Sequence, residues 1–176
     1  MSEKTNNQVL ENLVEEAKGK ADITRILALG HYATATVYGS FNFWVGMLNT
    51  ALAAAAGASA LTKVDETGIL TSILSVSVAV ITALLTFLSP VERNKFHWNA
   101  GAEFEVLSDR FYMLINVTCN TDKSYQDIEN NFEDLLQKYH KARSAYPIPT
   151  WAYQFAKKEL TRKGGKESLR PISPPK

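Results

Sequence analysis

The chain has 176 residues, enough for one module of ordinary domain size. Its 19 basic and 18 acidic side chains nearly cancel, so the total charge argues against a single-signed surface for gripping nucleic acid. The only cysteine, Cys119, excludes an internal disulfide and any multi-thiolate zinc or iron centre.

The average hydropathy resembles that of a water-soluble protein, but the apolar residues are segregated into two blocks. Residues 1–20 are polar and carry Glu11, Glu15 and Glu16, with no basic stretch leading into a short apolar core, so no cleaved signal peptide is expected. Val9, Leu10, Leu13, Val14, Ala17 and Ala21 recur every three to four residues among charges, which predicts an amphipathic helix over about 8–30.

Residues 26–62 hold no Asp, Glu, Lys or Arg, and neither do residues 67–91. About 20 apolar residues suffice to cross a hydrocarbon core as a helix, so both stretches are long enough. The first span is placed at about 41–61. Tyr38, Phe41, Phe43 and Trp44 cluster at its start, as aromatic rings do at the headgroup level, and Lys63, Asp65 and Glu66 follow its end. The second span is placed at about 68–88 and is followed by Arg93, Lys95, Phe96, His97 and Trp98, a second basic and aromatic boundary. Only residues 62–67 separate the spans, a connection short enough to force antiparallel neighbours. Lys18, Lys20, Arg25, Arg93 and Lys95 flank the outer ends against Lys63 alone in the turn, so both termini are expected on the cytoplasmic side. The competing reading is a soluble protein with two buried core helices, but a chain of this size has little structure with which to cover both.

Ser89 and Glu92 spell a capping box and Pro90 sits at the favoured first helical position, so a helix is expected over about 90–118. Its apolar face is Phe96, Ala100, Phe104, Leu107, Phe111 and Leu114. A further helix over about 124–144 begins near Ser124 and carries Tyr125, Ile128, Phe132, Leu135, Leu136 and Tyr139. Pro147 and Pro149 end it, and Thr150 can cap a last helix over about 150–162. Residues 164–176 read as a disordered polar tail. No alternating strand pattern competes, so the expected class is all-α: a two-helix transmembrane hairpin with an N-terminal amphipathic helix and C-terminal cytoplasmic helices, one module over residues 1–160.

Within the first span, Ala53 with Gly57 and Ala56 with Ala60 form small-x-x-x-small pairs that let helix backbones approach closely, either inside the hairpin or between copies. The second span carries Thr71, Ser75, Ala79, Thr82 and Thr86 on one face. These residues can line a hydrated path or bond a neighbouring helix, or each hydroxyl can bond its own backbone four residues earlier. Two helices cannot enclose a channel, so a pore needs several copies. Trp44, His97 and Trp98 are candidate membrane-interface residues.

Chemistry-bearing motifs are weak. His31, His97 and His140 lie on separate segments without metal-ligand spacing, and Cys119 has no histidine or nucleophile elbow beside it. Gly164-Gly165-Lys166 lacks the spacing of a phosphate loop. Neither a metal, a cofactor nor a catalytic constellation is expected, and the chain reads as a non-enzyme. Lys157, Lys158, Arg162, Lys163 and Lys166 read as a solvated face, with contact to anionic lipid as the alternative.

With these features the layout resembles the SLATT family of two-transmembrane effectors associated with nucleotide-signalling proteins of bacterial defence loci. The resemblance covers most of the chain. It rests on the hairpin, on Leu88-Ser89-Pro90, on His97, Ala100, Phe104 and Leu107, and on Pro147-Ile148-Pro149 followed by Tyr153, Ala156 and Lys157. What it implies is an effector of the inner membrane that assembles or opens when a sensor protein encoded elsewhere, or a nucleotide signal, triggers it during phage infection. The partners so implied are the lipid bilayer, other copies of the chain and that sensor. The alternative is a membrane-anchored scaffold whose cytoplasmic helices bind a partner protein.

Overall fold

The structure is a computed structural model and describes residues 2–61, 68–120 and 125–162. The expected connection at 62–67, the cap near Ser124 and the tail at 164–176 lie outside the described residues. Among the described residues five helices follow one another: α1 Ser2–Leu61, α2 Ile69–Leu88, α3 Pro90–Asn120, α4 Tyr125–Ala145 and α5 Thr150–Arg162. Among the described residues there is no strand, so the all-α class expected from the sequence holds.

α1 is longer than the pattern predicts. The expected amphipathic helix and first span are a single helix of 60 residues. No proline interrupts residues 2–61, so nothing removes a backbone donor or forces a kink. The other boundaries fall within two residues of those expected.

The described residues divide into two compact units, Met1–Thr34 with His97–Lys176, and Ala35–Phe96. The first is an ordinary helical core. α1 contributes Leu13, Ala17, Ala21, Leu27 and Ala28, all buried; α3 contributes Phe104, Leu107, Phe111 and Leu114; α4 contributes Ile128, Phe132, Leu135, Tyr139 and Ala142. The α3 and α4 sets repeat at three and four residues, and the α1 set does so once the buried Thr24 is counted between Ala21 and Ala28, so each helix turns one stripe inward. Phe111 meets Phe132 edge-on with centroids 6.1 Å apart, a favoured aromatic geometry. The stripe read from the sequence for α3 is buried from Ala100 onward, whereas Phe96 is 42% exposed.

Buried serine and threonine hydroxyls inside this unit are tied to backbone. The Ser108 hydroxyl donates to the Ala21 carbonyl at 3.0 Å and joins α3 to α1. Thr24 is fully buried and donates to the carbonyls of Lys20 and Ala21 on its own helix. Gly30 is required by close approach, because a Cβ there would collide with the Ile148 side chain and come within 3.2 Å of the Ala152 carbonyl oxygen. The chain entering α5 therefore packs directly on α1.

Candidate functional site

The second unit consists of the last part of α1, all of α2 and the first turns of α3. On α1, Asn42, Val45, Asn49, Leu52 and Ser59 are half-buried and Ala56 is buried; on α2, Thr71, Leu74, Val78, Ile81 and Leu85 are half-buried. Both sets repeat at three and four residues, the spacing of two helices packed along a seam. The Asn49 amide donates to Thr82 Oγ1 at 2.9 Å, and the hydroxyls of Ser59 and Thr71 are 2.8 Å apart. The contacts run in opposite chain directions on the two helices.

Away from the seam, the helices are bare. No residue of α2 is buried, and Ile73, Val76, Val80, Leu84 and Phe87 are between 53% and 86% exposed. On α1, Phe43, Trp44, Met47 and Leu48 are more than half exposed. Two helical stretches, within Gln8–Leu61 and Ile69–Asn116, are long and apolar enough to cross a membrane. Core helices of a soluble protein would be covered; these are not.

The five residues expected to form a hydroxyl stripe divide. Thr71 lies on the seam, Thr82 accepts from Asn49 while exposed, and Ser75, Ala79 and Thr86 are exposed. Thr86 also donates to the Thr82 carbonyl at 2.9 Å, the self-bonding that lets a hydroxyl sit in apolar surroundings. The small residues divide as well. Ala56 is buried, whereas Ala53, Gly57 and Ala60 are exposed, and a Cβ added at Gly57 would meet nothing within 4 Å. Asn49 Oδ1 is shielded from solvent and has no hydrogen-bond partner, a burial that ordinarily costs about 1–3 kcal/mol.

At the α2–α3 junction Ser89 adopts φ 43°, in the left-handed region, and its N–H donates to the Leu85 carbonyl at 3.0 Å. The expected capping box is not formed by its hydroxyl, which instead donates to the Thr86 carbonyl at 2.9 Å; α3 does begin at Pro90 as read. Arg93 Nε satisfies the Leu88 carbonyl at 3.0 Å, and its guanidinium lies 5.9 Å from the Tyr38 ring centre, a cation–π distance. The Asn94 amide donates to the Ala35 carbonyl at 2.6 Å. A Cβ on Gly39 would come within 2.9 Å of Asn94 Nδ2, which explains a glycine there. Cations and amides thus gather at one end of the charge-free segments.

Of the three expected interface residues, Trp44 belongs to the second unit and His97 and Trp98 to the first. Trp44 is 63% exposed and meets Phe43 edge-on. Trp98 belongs to the first unit, where it is half-buried with its ring centre 4.8 Å from that of Tyr32. Tyr32 donates to Glu105 at 2.6 Å, and burial together with that carboxylate pushes its hydroxyl pKa up.

His97, also in the first unit, is 8% exposed and shares a hydrogen bond with the fully buried His31, Nδ1 to Nδ1, at 2.9 Å. Phe104 stacks on His31 with centroids 5.5 Å apart. Burial, and next the neighbouring His97, lower the His31 pKa to about 4, while the Tyr146 backbone carbonyl pulls the other way. Sequence reading kept these histidines apart because they are 66 residues distant. Their nearly equal chain distance from residues 62–67 was the available signal. Among the described residues no group of three His, Cys, Asp or Glu side chains could hold a metal ion.

No family model, no curated protein and no solved structure matches the chain significantly.

Proposed function

We propose that the protein is a membrane effector in which α2 and the last part of α1 form a transmembrane hairpin that oligomerises to open a pore or disrupt the inner membrane. The observation that carries this reading is the bare apolar surface of both helices, from Phe43 to Leu48 on α1 and from Ile73 to Phe87 on α2. In water such a surface is unfavourable by roughly 25 cal/mol for every Å² left uncovered, and in lipid the penalty vanishes. Arg93 and Lys95 at the outer end support a cytoplasmic location for the helical unit and both termini.

Three features support association of copies. Ala53, Gly57 and Ala60 present small residues outward, where a second helix can come close. Ser75, Ala79 and Thr86 form a weakly polar outer line on α2, and Asn49 holds an unsatisfied acceptor between the helices. The resemblance to SLATT effectors adds a trigger, a nucleotide signal or a sensor protein, and a role in anti-phage defence. No cofactor is assigned, and the activity proposed is non-enzymatic.

Expression in bacteria loaded with a membrane-potential dye tests the effector reading. Triggered or overproduced protein should depolarise cells, and Ser75→Leu combined with Thr86→Leu should reduce depolarisation while leaving the protein in the membrane. Persistent polarisation at full membrane abundance counts against a pore.

The self-contained core of the first unit favours a second reading, a membrane-anchored scaffold whose helices bind a partner. Replacing residues 41–88 by an unrelated hairpin separates the two, since a scaffold would keep its activity and a pore would lose it.

A further inference from the structure

We propose that His31 and His97 form a proton-sensitive clasp: while neutral it joins α1 to α3 inside the first unit, and acidification opens that joint. The inference stands apart from the membrane reading, because both rings belong to the helical unit.

The geometry sets the rule. An Nδ1–Nδ1 hydrogen bond of 2.9 Å needs one N–H and one lone pair, so it forms between two neutral rings of opposite tautomer or survives with one ring protonated, but never with both. The arrangement that uses the polar atoms best has His97 Nδ1–H donating to His31 Nδ1. His31 Nε2 then carries the other proton; this atom is shielded and makes no hydrogen bond of good geometry, and the Tyr146 carbonyl is the group favouring a proton on that ring. One added proton places a cation in a site walled by Phe104, and two added protons bring two N–H groups face to face.

No carboxylate is among the groups that shift His31. α3 supplies His97 and Phe104, and the segment after α4 supplies Tyr146, whose ring stands edge-on to His31 at 6.4 Å. The nearby carboxylates are engaged by phenols, Glu103 by Tyr146 and Glu105 by Tyr32. From the α5 side, the contacts on neighbouring Gly30 come from Ile148 and the Ala152 backbone, which carry no charge. Once the joint opens, water reaches the rings and they titrate near the ordinary histidine value of about 6.5. The open form therefore binds more protons than the closed one below that pH, and acid drives opening.

The test uses the full chain in nanodiscs, in a Cys119→Ser background, with spin labels on cysteines replacing the exposed residues Ile23 and Val106. Between pH 7.5 and 4.5 the distance distribution of the histidine-containing chain should broaden and the melting temperature should fall on the order of 5 °C. His31→Gln with His97→Gln should remove most of both changes. Equal acid sensitivity in that variant, or no acid response in the parent, overturns the clasp. If the variant does not fold, histidine nitrogen NMR on the parent decides: rings that stay neutral until the label distances broaden support the clasp, and rings that titrate near pH 6.5 without broadening overturn it.

Discussion

The two units use similar helices and opposite surfaces. In the unit built from the ends of the chain, Phe104, Phe111 and Tyr139 are all but fully buried, each on a stripe whose reverse side is charged. In the unit built from its middle, Val76, Val80 and Leu84 are each more than half exposed on a helix with no charge on any side. Amphipathic helices stabilise one another in water by hiding a stripe, whereas helices apolar all round need a solvent that is itself apolar. On the proposed membrane reading, the contrast marks where the chain passes from one solvent to the other.

That contrast predicts unequal responses to mutation. Phe104→Ala should have the largest effect, a loss of about 3–5 kcal/mol in chemical denaturation, because it empties a site packed against His31. Val80→Ala, which truncates an exposed apolar side chain, should change the same measurement much less.

Val80→Lys comes next. A lysine near the middle of α2 should reduce membrane insertion by about 2.5–3.5 kcal/mol, read as the inserted fraction in a translocation assay. If α2 were simply a water-facing helix, the same change would be harmless.

Gly30→Leu should cost about 1–3 kcal/mol by forcing Ile148 and α5 away from α1. Gly57→Leu, at a position open within the single chain, should leave monomer stability nearly unchanged and lower the cross-linked oligomer yield. A loss of about 1–2 kcal/mol at neutral pH is expected from Tyr32→Phe, since it removes one hydrogen bond to Glu105.

Much of this division was legible in the residues alone. The helix boundaries at Leu88, Pro90, Thr150 and Arg162 followed from prolines, caps and charge, and the stripe from Ala100 to Leu114 from its spacing. Local rules could not divide a face by depth. Thr71, Ser75, Thr82 and Thr86 share one helical side, yet Thr71 and Thr82 bond across to α1 while Ser75 and Thr86 are exposed, because the angular position of α1 against α2 is set by packing along both helices. The same holds for Ala53 and Ala56, three residues apart and respectively exposed and buried. The histidine pair was hidden for a different reason: it depends on the register of α1 against α3, and a register is a long-range property that no motif spells.

The most direct measurement is a nitroxide accessibility scan through Ile73, Val76, Val80 and Leu84 in liposomes. The account predicts strong collision with dissolved oxygen and little with a water-soluble nickel complex at all four positions. Rapid collision with the nickel complex at these sites, in a chain that stays monodisperse without detergent, would contradict it.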